Sequence, residues 1–567
     1  MKNSRTAEIF RNVAYMLEIK GENPFRIRAY QKAAQIIENL TEDLTQLAEE
    51  DRLIELPGIG EDLARKIKEI LKTGTLKTYE NLKKEVPEEV LDMLGIPGLG
   101  PKTVKMLFEQ LKIKNTADLK KAAKQGKLTG IEGIREKTVE NILRGIAVIE
   151  ENAGRMLLNT ADSAAAEIIF ELKKMKEVKK INIAGSLRRM KETVRDIDIL
   201  VSSSVPRKVM DKFTRLKQVR SVIGKGETKS SVLIEDGVQA DLRVVADESY
   251  GAAFLYFTGS KAHNIKLRAM ARKKKMKVSE YGLFKGSARI AGRTEEEMYE
   301  KLGLSFIPPE LREDSGEVEA AQKNELPRLI DYSDIKGDLH VHSNKSDGSY
   351  SVEQLVEAAQ KRGYEYIAIT DHSQGLKVAG GLSVNDAKKH IEYIRKLNQK
   401  LKGITLLTGF EIDIKDDGSL DYPDSLLKEL DIVIGAIHTG FKQSKEKLTN
   451  RIIKAMQNKY TTFISHPSGR LIGAREPYEI DYDEIFKAAR DTNTFLEISA
   501  YPQRLDLTDV WARRAKEKGV KMVIVTDAHI LDHFDYMKYG VAVARRGWLE
   551  KKDVINTLPL EELKKIL

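Results

Sequence analysis

Seven short apolar runs follow one another between residues 338 and 529: DLHVH, YIAITDH, ITLLTGFE, DIVIGAIH, TTFISH, TFLEIS and MVIVTDAH. Helix-like stretches separate them. Strands that alternate with helices in this way pair in parallel and close into a barrel. The C-terminal strand ends of such a barrel form its working face. Those ends carry His340 and His342, His372, Glu411, His438, His466, Asp527 and His529, and Asp347 lies just past the first. His340 and His342 are two apart, so on a strand they share a face. A single histidine here would pass as a core or capping residue; nine donors at successive strand ends call for another explanation. Imidazole and carboxylate without thiolate suit Zn, Mn or Fe, and the chain has no cysteine. A multi-metal site of this type activates water and clamps a phosphoryl group, so phosphoester hydrolysis is expected.

The rest of the 567 residues must form further domains, because single cores stop growing near 250–300 residues. The absence of cysteine excludes disulfides and suits a reducing cytosol. MKNSRTAEIF has no apolar signal core, and no apolar run is long enough to span a bilayer, so a cytoplasmic, membrane-independent protein is expected. The net charge of +10 is uneven: residues 1–315 hold 58 Lys and Arg against 47 Asp and Glu, the remainder 38 against 39. A polyanionic partner is therefore expected for the first half.

Residues 1–150 read as helices. Three Gly-containing turns lie among them, in LPGIGEDLARKI, GIPGLGPKTVKML and LTGIEGIREKTVENI. Such a turn aims backbone N–H groups and a helix N-terminus at a phosphate, giving affinity without sequence readout. Gly58, Gly60, Gly98, Gly100 and Lys102 are the expected contacts to the phosphates of a polyanion. From about residue 180 strands replace helices: INIAGS, DIDILVS, SSVLIEDG and VQADLRVV. In AGSLRR a Gly-Ser turn lets backbone N–H groups approach a triphosphate. Asp196 and Asp198 share a strand face, and Asp241 offers a third carboxylate from another strand. Asp-x-Asp alone is ordinary surface charge. With the Gly-Ser turn and the third aspartate it suits two Mg²⁺ (or Mn²⁺) ions that activate a 3′-hydroxyl and stabilise departing pyrophosphate.

YFTGSKAHNIKLRAMARKKKMKVSEYGLF resembles the nucleotide-binding segment of family X DNA polymerases, typified by DNA polymerase beta. That resemblance covers residues 1 to about 315. Residues 333–567 resemble the PHP (polymerase and histidinol phosphatase) domain, all nine of whose metal positions are filled here. Together they resemble the bacterial and archaeal polymerases that join the two. The resemblance implies that Gly185, Ser186 and Arg189 hold the triphosphate, with Arg155 near another phosphate position. It implies that Tyr256, Phe257 and Gly259 line the sugar pocket, Asn264 meets the base edge and Arg268 the template minor groove. Lys66 falls at the family's lyase nucleophile, with Tyr30 in support, but Asp62 replaces a phosphate-binding lysine and Arg26 another basic residue. The PHP site would take up to three Zn²⁺, Mn²⁺ or Fe²⁺ ions.

The implied architecture is multidomain: a helical lyase-like domain (1–85), a helix-hairpin-helix domain (86–150), an α+β nucleotidyltransferase palm (151–240), the palm end with a nucleotide-selecting subdomain (241–315), a polar linker (316–332) and a (β/α)7 PHP barrel (333–567). The implied function is gap filling on gapped or primed duplex DNA from deoxynucleoside triphosphates, with 3′→5′ exonuclease trimming, by a monomer acting in repair. A PHP domain that cleaves small phosphoesters, or one that only scaffolds DNA, is the alternative.

Overall fold

The computed structural model describes residues 2–567 apart from 39–43, 57, 97–98, 129–130, 132–133, 137, 141, 144–145, 147–154 and 235–236. The chain divides into two compact units, residues 1–153 with 473–476 and residues 154–472 with 477–567.

Among the described residues of 1–153 every regular element is a helix. The helix Glu61–Thr73 shows why. Leu63, Ala64, Ile67 and Ile70 recur on one face and are buried, Glu61 and Asp62 occupy the positive first turn, and Gly74 closes the helix with a left-handed φ of 78°. Gly60 is its N-cap, and Gly100 plays the same part for Pro101–Leu111. The helices share one core, in which the Phe10 and Tyr30 rings meet edge to face.

The second unit opens with a five-stranded sheet ordered Lys180–Ile183, Asp196–Ser202, Gln239–Val245, Lys229–Ile234, Val219–Lys225. Only the second and third of these pair in parallel, and their register sets Asp198 beside Asp241. The sheet departs from the sequence reading in one boundary and adds one strand. A domain boundary at 240 would cut Gln239–Val245, a strand hydrogen-bonded on both sides. The edge strand Val219–Lys225 escaped the reading because it is mostly exposed and shows no buried alternation.

A smaller α/β body follows, with helices Tyr250–Thr258, Lys261–Lys273 and Glu295–Leu302 around the three-stranded sheet Met276–Ser279, Gly282–Lys285, Ala288–Ala291. The expected linker is part of it. Glu317–Lys323 is a helix whose Val318 and Ala321 are buried in the same core as Leu255, Leu267 and Met298. Its charge misled the sequence reading because Glu317 is satisfied internally: it accepts from the Asp314 and Ser315 amides and bonds buried His263 at 2.7 Å.

All seven expected barrel strands are present, in sequence order and parallel: Gly337–Val341, Tyr366–Ile369, Thr405–Asp413, Ile432–Ala436, Phe463–Ile464, Phe495–Ser499 and Met522–Val525. The His342 amide donates to Ala528 O at 2.8 Å, linking first strand to last. Intervening helices start on Ser351, Ser383, Ser444, Asp481 and Thr508, each accepting a backbone N–H of the first turn. Among the described residues no helix is long and apolar enough to cross a membrane.

Candidate functional site

The polymerase-like body holds a cleft of about 380 Å³ lined by Gly185, Ser186, Arg189, Asp196, Asp198, Tyr256, Phe257, Gly259, Asn264 and Arg268, together with Thr258, Ser260 and Lys261. Gly185 has a φ of 62°, and a Cβ there would lie 2.2 Å from Asp198 Oδ2, so only glycine lets this turn meet the carboxylate. Burial, with Asp196 and Asp241 nearby, pushes the Asp198 carboxyl up to about 7. Burial raises Asp241 too, but Gln239, Lys229 and Ser231 more than offset it and hold it below the usual range. Lys229 Nζ lies 2.9 Å from Asp241 Oδ2 and Gln239 donates to Oδ1 at 2.7 Å. Three converging carboxylates, one of them raised by the others, fit divalent cations.

Asn264 donates to Tyr256 O at 2.7 Å, which ties the two helices flanking Gly259. Arg268 Nε reaches Asn264 O at 3.3 Å. Arg189 donates to Thr258 O at 2.6 Å and meets Glu313 at 3.0 Å. Arg155 is not among the cleft residues: its guanidinium donates to Thr193 Oγ1 at 2.8 Å and Thr193 O at 2.7 Å. Sequence reasoning passed over Lys229 and Arg188. The second grips buried Glu295 through both terminal guanidinium nitrogens and lies 3.3 Å over the Phe254 ring.

At the barrel mouth the ligand-type atoms of His342, Asp347, His372 and His529 lie within 4.8 Å of one another, as do those of His340, His342 and Asp527, and those of His372, Glu411 and His438. His466, the ninth residue, bonds Glu411 Oε1 at 2.9 Å. The Nε2 of His340, both ring nitrogens of His342 and the Nδ1 of His372 are buried with no hydrogen-bond partner. Unmade bonds of this kind cost about 1–3 kcal/mol each, and divalent cations among the carboxylates would remove the cost, so the residues fit the expected ions. Burial works against ionised Glu411 and Asp527, but the surrounding imidazoles hold both well below the carboxylate range. Burial and neighbouring charge lower His342 to about 4 and His466 to about 3, so both are neutral, the form that ligates. His466 and Asp527 carry positive φ, 27° and 53°, a strained backbone of the kind that gathers at functional sites.

A second ring of residues was not foreseen. Glu497 bonds His340 Nδ1 at 2.8 Å and accepts from the His466 amide at 3.2 Å. Asp413 bonds His438 Nδ1 at 2.9 Å. Asp371 accepts from Ser343 and Ser346, and its Oδ2 lies 2.9 Å from Nε2 of buried His390. Arg504 Nε stands 3.6 Å from Asp527, and its buried Nη1 has no partner. A signal for two was available: Asp413 lies two residues past Glu411 on one strand, and Asp371 directly precedes His372.

In the first unit Lys66 pairs with Asp62 and lies 5.0 Å over the Tyr30 ring. Burial lowers the ammonium, but Asp62 and Tyr30 more than compensate, so Lys66 is held above its ordinary value. Gly58 has a φ of 87°, and Gly60, Gly100 and Lys102 are exposed at helix starts. Gly98 lies outside the described residues.

Four family models match the chain: a helix-hairpin-helix domain over residues 1–76, a SAM-like helix-hairpin-helix tandem over 90–147, the DNA polymerase beta thumb over 253–313 and the PHP domain over 338–500. The DNA polymerase/3′-5′ exonuclease PolX of Bacillus subtilis is 40% identical over 563 residues, which is 99% of this chain and 98% of that protein. Shorter relatives match one part only. A protein of Thermoanaerobacter sp. named "probable phosphatase" is 31% identical over 39% of this chain and 89% of its own. A protein of the same designation from Caldanaerobacter subterraneus is 34% identical over 36% and 80%.

Proposed function

The chain belongs to the family X DNA polymerases that carry a C-terminal PHP domain, and on that premise we propose that it fills short gaps in duplex DNA and trims 3′ ends with its own exonuclease, as a base excision repair enzyme. It is a DNA-directed DNA polymerase and a metal-dependent 3′→5′ exodeoxyribonuclease. The observation that carries the reading is that one chain gathers ten foreseen residues in a nucleotide-sized cleft and nine donors at a barrel mouth.

For extension, Asp196, Asp198 and Asp241 would hold two Mg²⁺ or Mn²⁺, which activate the primer hydroxyl and stabilise leaving pyrophosphate. The chain supplies the rest. The Gly185-Ser186 turn and Arg189 receive the triphosphate. Tyr256, Phe257 and Gly259 bound the sugar, while Asn264 and Arg268 reach toward the base edge and the template groove. Gly58, Gly60, Gly100 and Lys102 present helix N-termini to DNA phosphates.

For degradation, the nine barrel residues would hold up to three Zn²⁺, Mn²⁺ or Fe²⁺, supplying an activated water and charge for the departing 3′-oxygen. Glu497 and Asp413 fix the ring orientations of His340 and His438. Arg504 puts a guanidinium beside Asp527, where a phosphate oxygen would approach. Action at abasic sites or blocked 3′ ends belongs to the same site.

The test is a gapped-duplex assay with Mn²⁺. Asp241→Ala is expected to abolish extension and spare degradation, and His340→Ala to do the reverse. Loss of both activities in either folded variant would refute two separate sites. The phosphatase names of the shorter relatives favour a second reading, hydrolysis of small phosphomonoesters. Turnover of such esters, with none of the labelled primer, would replace the exonuclease reading.

A further inference from the structure

The metal centre is closed on most sides. His340, His342, Glu411 and His466 have side chains 0–3% exposed, whereas His529 and Asp347 are 28% and 30% exposed. A substrate therefore arrives past His529 and Asp347. Three aromatic rings stand there. His533 lies 6.5 Å from the His529 ring, and its Nδ1 accepts from the His529 amide at 3.3 Å. Tyr536 stacks on His533 at 4.9 Å and 23°. Tyr501 stands across both, 5.2 Å from His533 at 73° and 5.9 Å from Tyr536 at 77°.

These rings lie at the margin of the core, against which Tyr536 packs. Phe534 and Tyr539 are buried, whereas Tyr501, His533 and Tyr536 are partly exposed. The corner is also fixed in place. Tyr539, 6.0 Å from Tyr536, bonds Asp162 at 3.0 Å. The Arg504 amide donates to Tyr501 O at 2.7 Å, so one loop carries both an aromatic wall and the guanidinium beside Asp527.

Resting on the exonuclease reading, we propose that Tyr501, His533 and Tyr536 form a base-stacking corner that holds the unpaired base of the 3′-terminal nucleotide while its phosphodiester lies at the metal centre. A nucleotide led to these metals must leave its neighbour in the strand and loses stacking as it does. An aromatic side chain returns that stacking for any base, since every base has a π-face. The guanidinium takes the phosphate and the rings take the base, which spans one nucleotide without reading its identity.

The full-length protein tests this with Tyr536→Leu, Tyr501→Leu, the double variant, and Tyr536→Phe, which keeps the ring. Single-stranded primers ending in a normal or a baseless nucleotide give a ratio of kcat/KM values. Wild type should favour the base-bearing end. The ratio should fall roughly tenfold or more in the double variant and hold in Tyr536→Phe. A primer ending in 2-aminopurine should lose fluorescence on binding wild type and lose less on binding the double variant. Wild-type ratio and quenching in a folded double variant would overturn the corner. A wild type that degrades primers without favouring a base would also overturn it and leave the exonuclease reading standing; one that degrades neither primer would end both.

Discussion

The polymerase cleft and the barrel mouth both gather carboxylates, yet they treat the charge differently. In the cleft, Asp241 already has a lysine and a glutamine on its oxygens, and Asp198 is kept near half-ionised by burial and its fellow aspartates. That site tolerates the absence of metal because protein groups and protons fill in. In the barrel, buried imidazole nitrogens stand 3.0–3.6 Å from carboxylate oxygens without making a well-directed hydrogen bond, and the carboxylates stay ionised. The counter-charge there comes only from imidazoles that are themselves the expected ligands, and it must be given up when cations bind. The contrast implies ions that come and go with the nucleotide in the cleft, and resident ions in the barrel.

Chelation should give the largest effect. Dialysis against a strong chelator, then Mg²⁺ alone, should restore extension at once and leave degradation absent until Mn²⁺, Zn²⁺ or Fe²⁺ returns. Metal analysis after gel filtration should find ions that His342→Ala loses. His340 is held well above its ordinary value and His372 is raised to about 10, for although burial lowers both, carboxylates more than offset it. In the metal-free protein His372 carries a proton at neutral pH and His340 holds one more tightly than a free imidazole does. Loading must expel them, so barrel affinity should rise with pH, and calorimetry in buffers of different ionisation enthalpy should register proton release. Equal recovery of both activities in Mg²⁺ would erase the contrast.

Glu497→Gln sharpens it further. Burial pushes this carboxyl up to about 7, with the His340 charge opposing, and the variant keeps a hydrogen-bonding group of the same shape. Metal affinity at the barrel should fall about 10–100-fold, measured against a competing chelator, while extension at saturating Mg²⁺ is retained.

How much of this was legible varies with the physics. Strand ends carrying His340, His372 or His438 announce themselves because a short apolar run and its ligand are contiguous in sequence. The Gly185 turn was readable because only glycine tolerates both its φ and the approach of Asp198. Glu497 was not: it lies on TFLEIS, whose outward reading is one charged residue in a buried strand, and only the barrel's closure brings it to His340 across 157 residues. Val219–Lys225 lacks the buried alternation that marks a strand, and Glu317–Lys323 is too short for helical periodicity to emerge from its charges.

Asp198→Asn should show a moderate effect of the opposite kind, a gain. A carboxyl raised from 3.8 to about 7 costs the folded state nothing below pH 3.8. The cost grows as pH rises and is complete above 7, because the folded state binds the proton more tightly than the unfolded one. The variant should therefore stabilise the metal-free palm by up to about 4 kcal/mol at pH 8, and not at pH 4. Hydrogen exchange of the Asp196–Ser202 amides reads this locally. Saturating Mg²⁺ should shrink the gap in favour of wild type, and a gap independent of pH would mean that packing is the cause.

The smallest effect concerns Lys66, where the chain again supplies its own counter-charge. A Schiff base forms only from a neutral amine, and the pairing with Asp62 keeps Lys66 protonated. Borohydride trapping of a 5′-deoxyribose phosphate end should accordingly be weak at pH 7.5 and increase toward alkaline pH. Asp62→Asn should raise trapping a few-fold and move its pH profile downward, and Lys66→Arg should remove it. Trapping that is strong at neutral pH in wild type and falls in Asp62→Asn would show that the carboxylate assists the amine, and the account of this pair as a suppressed nucleophile would fail.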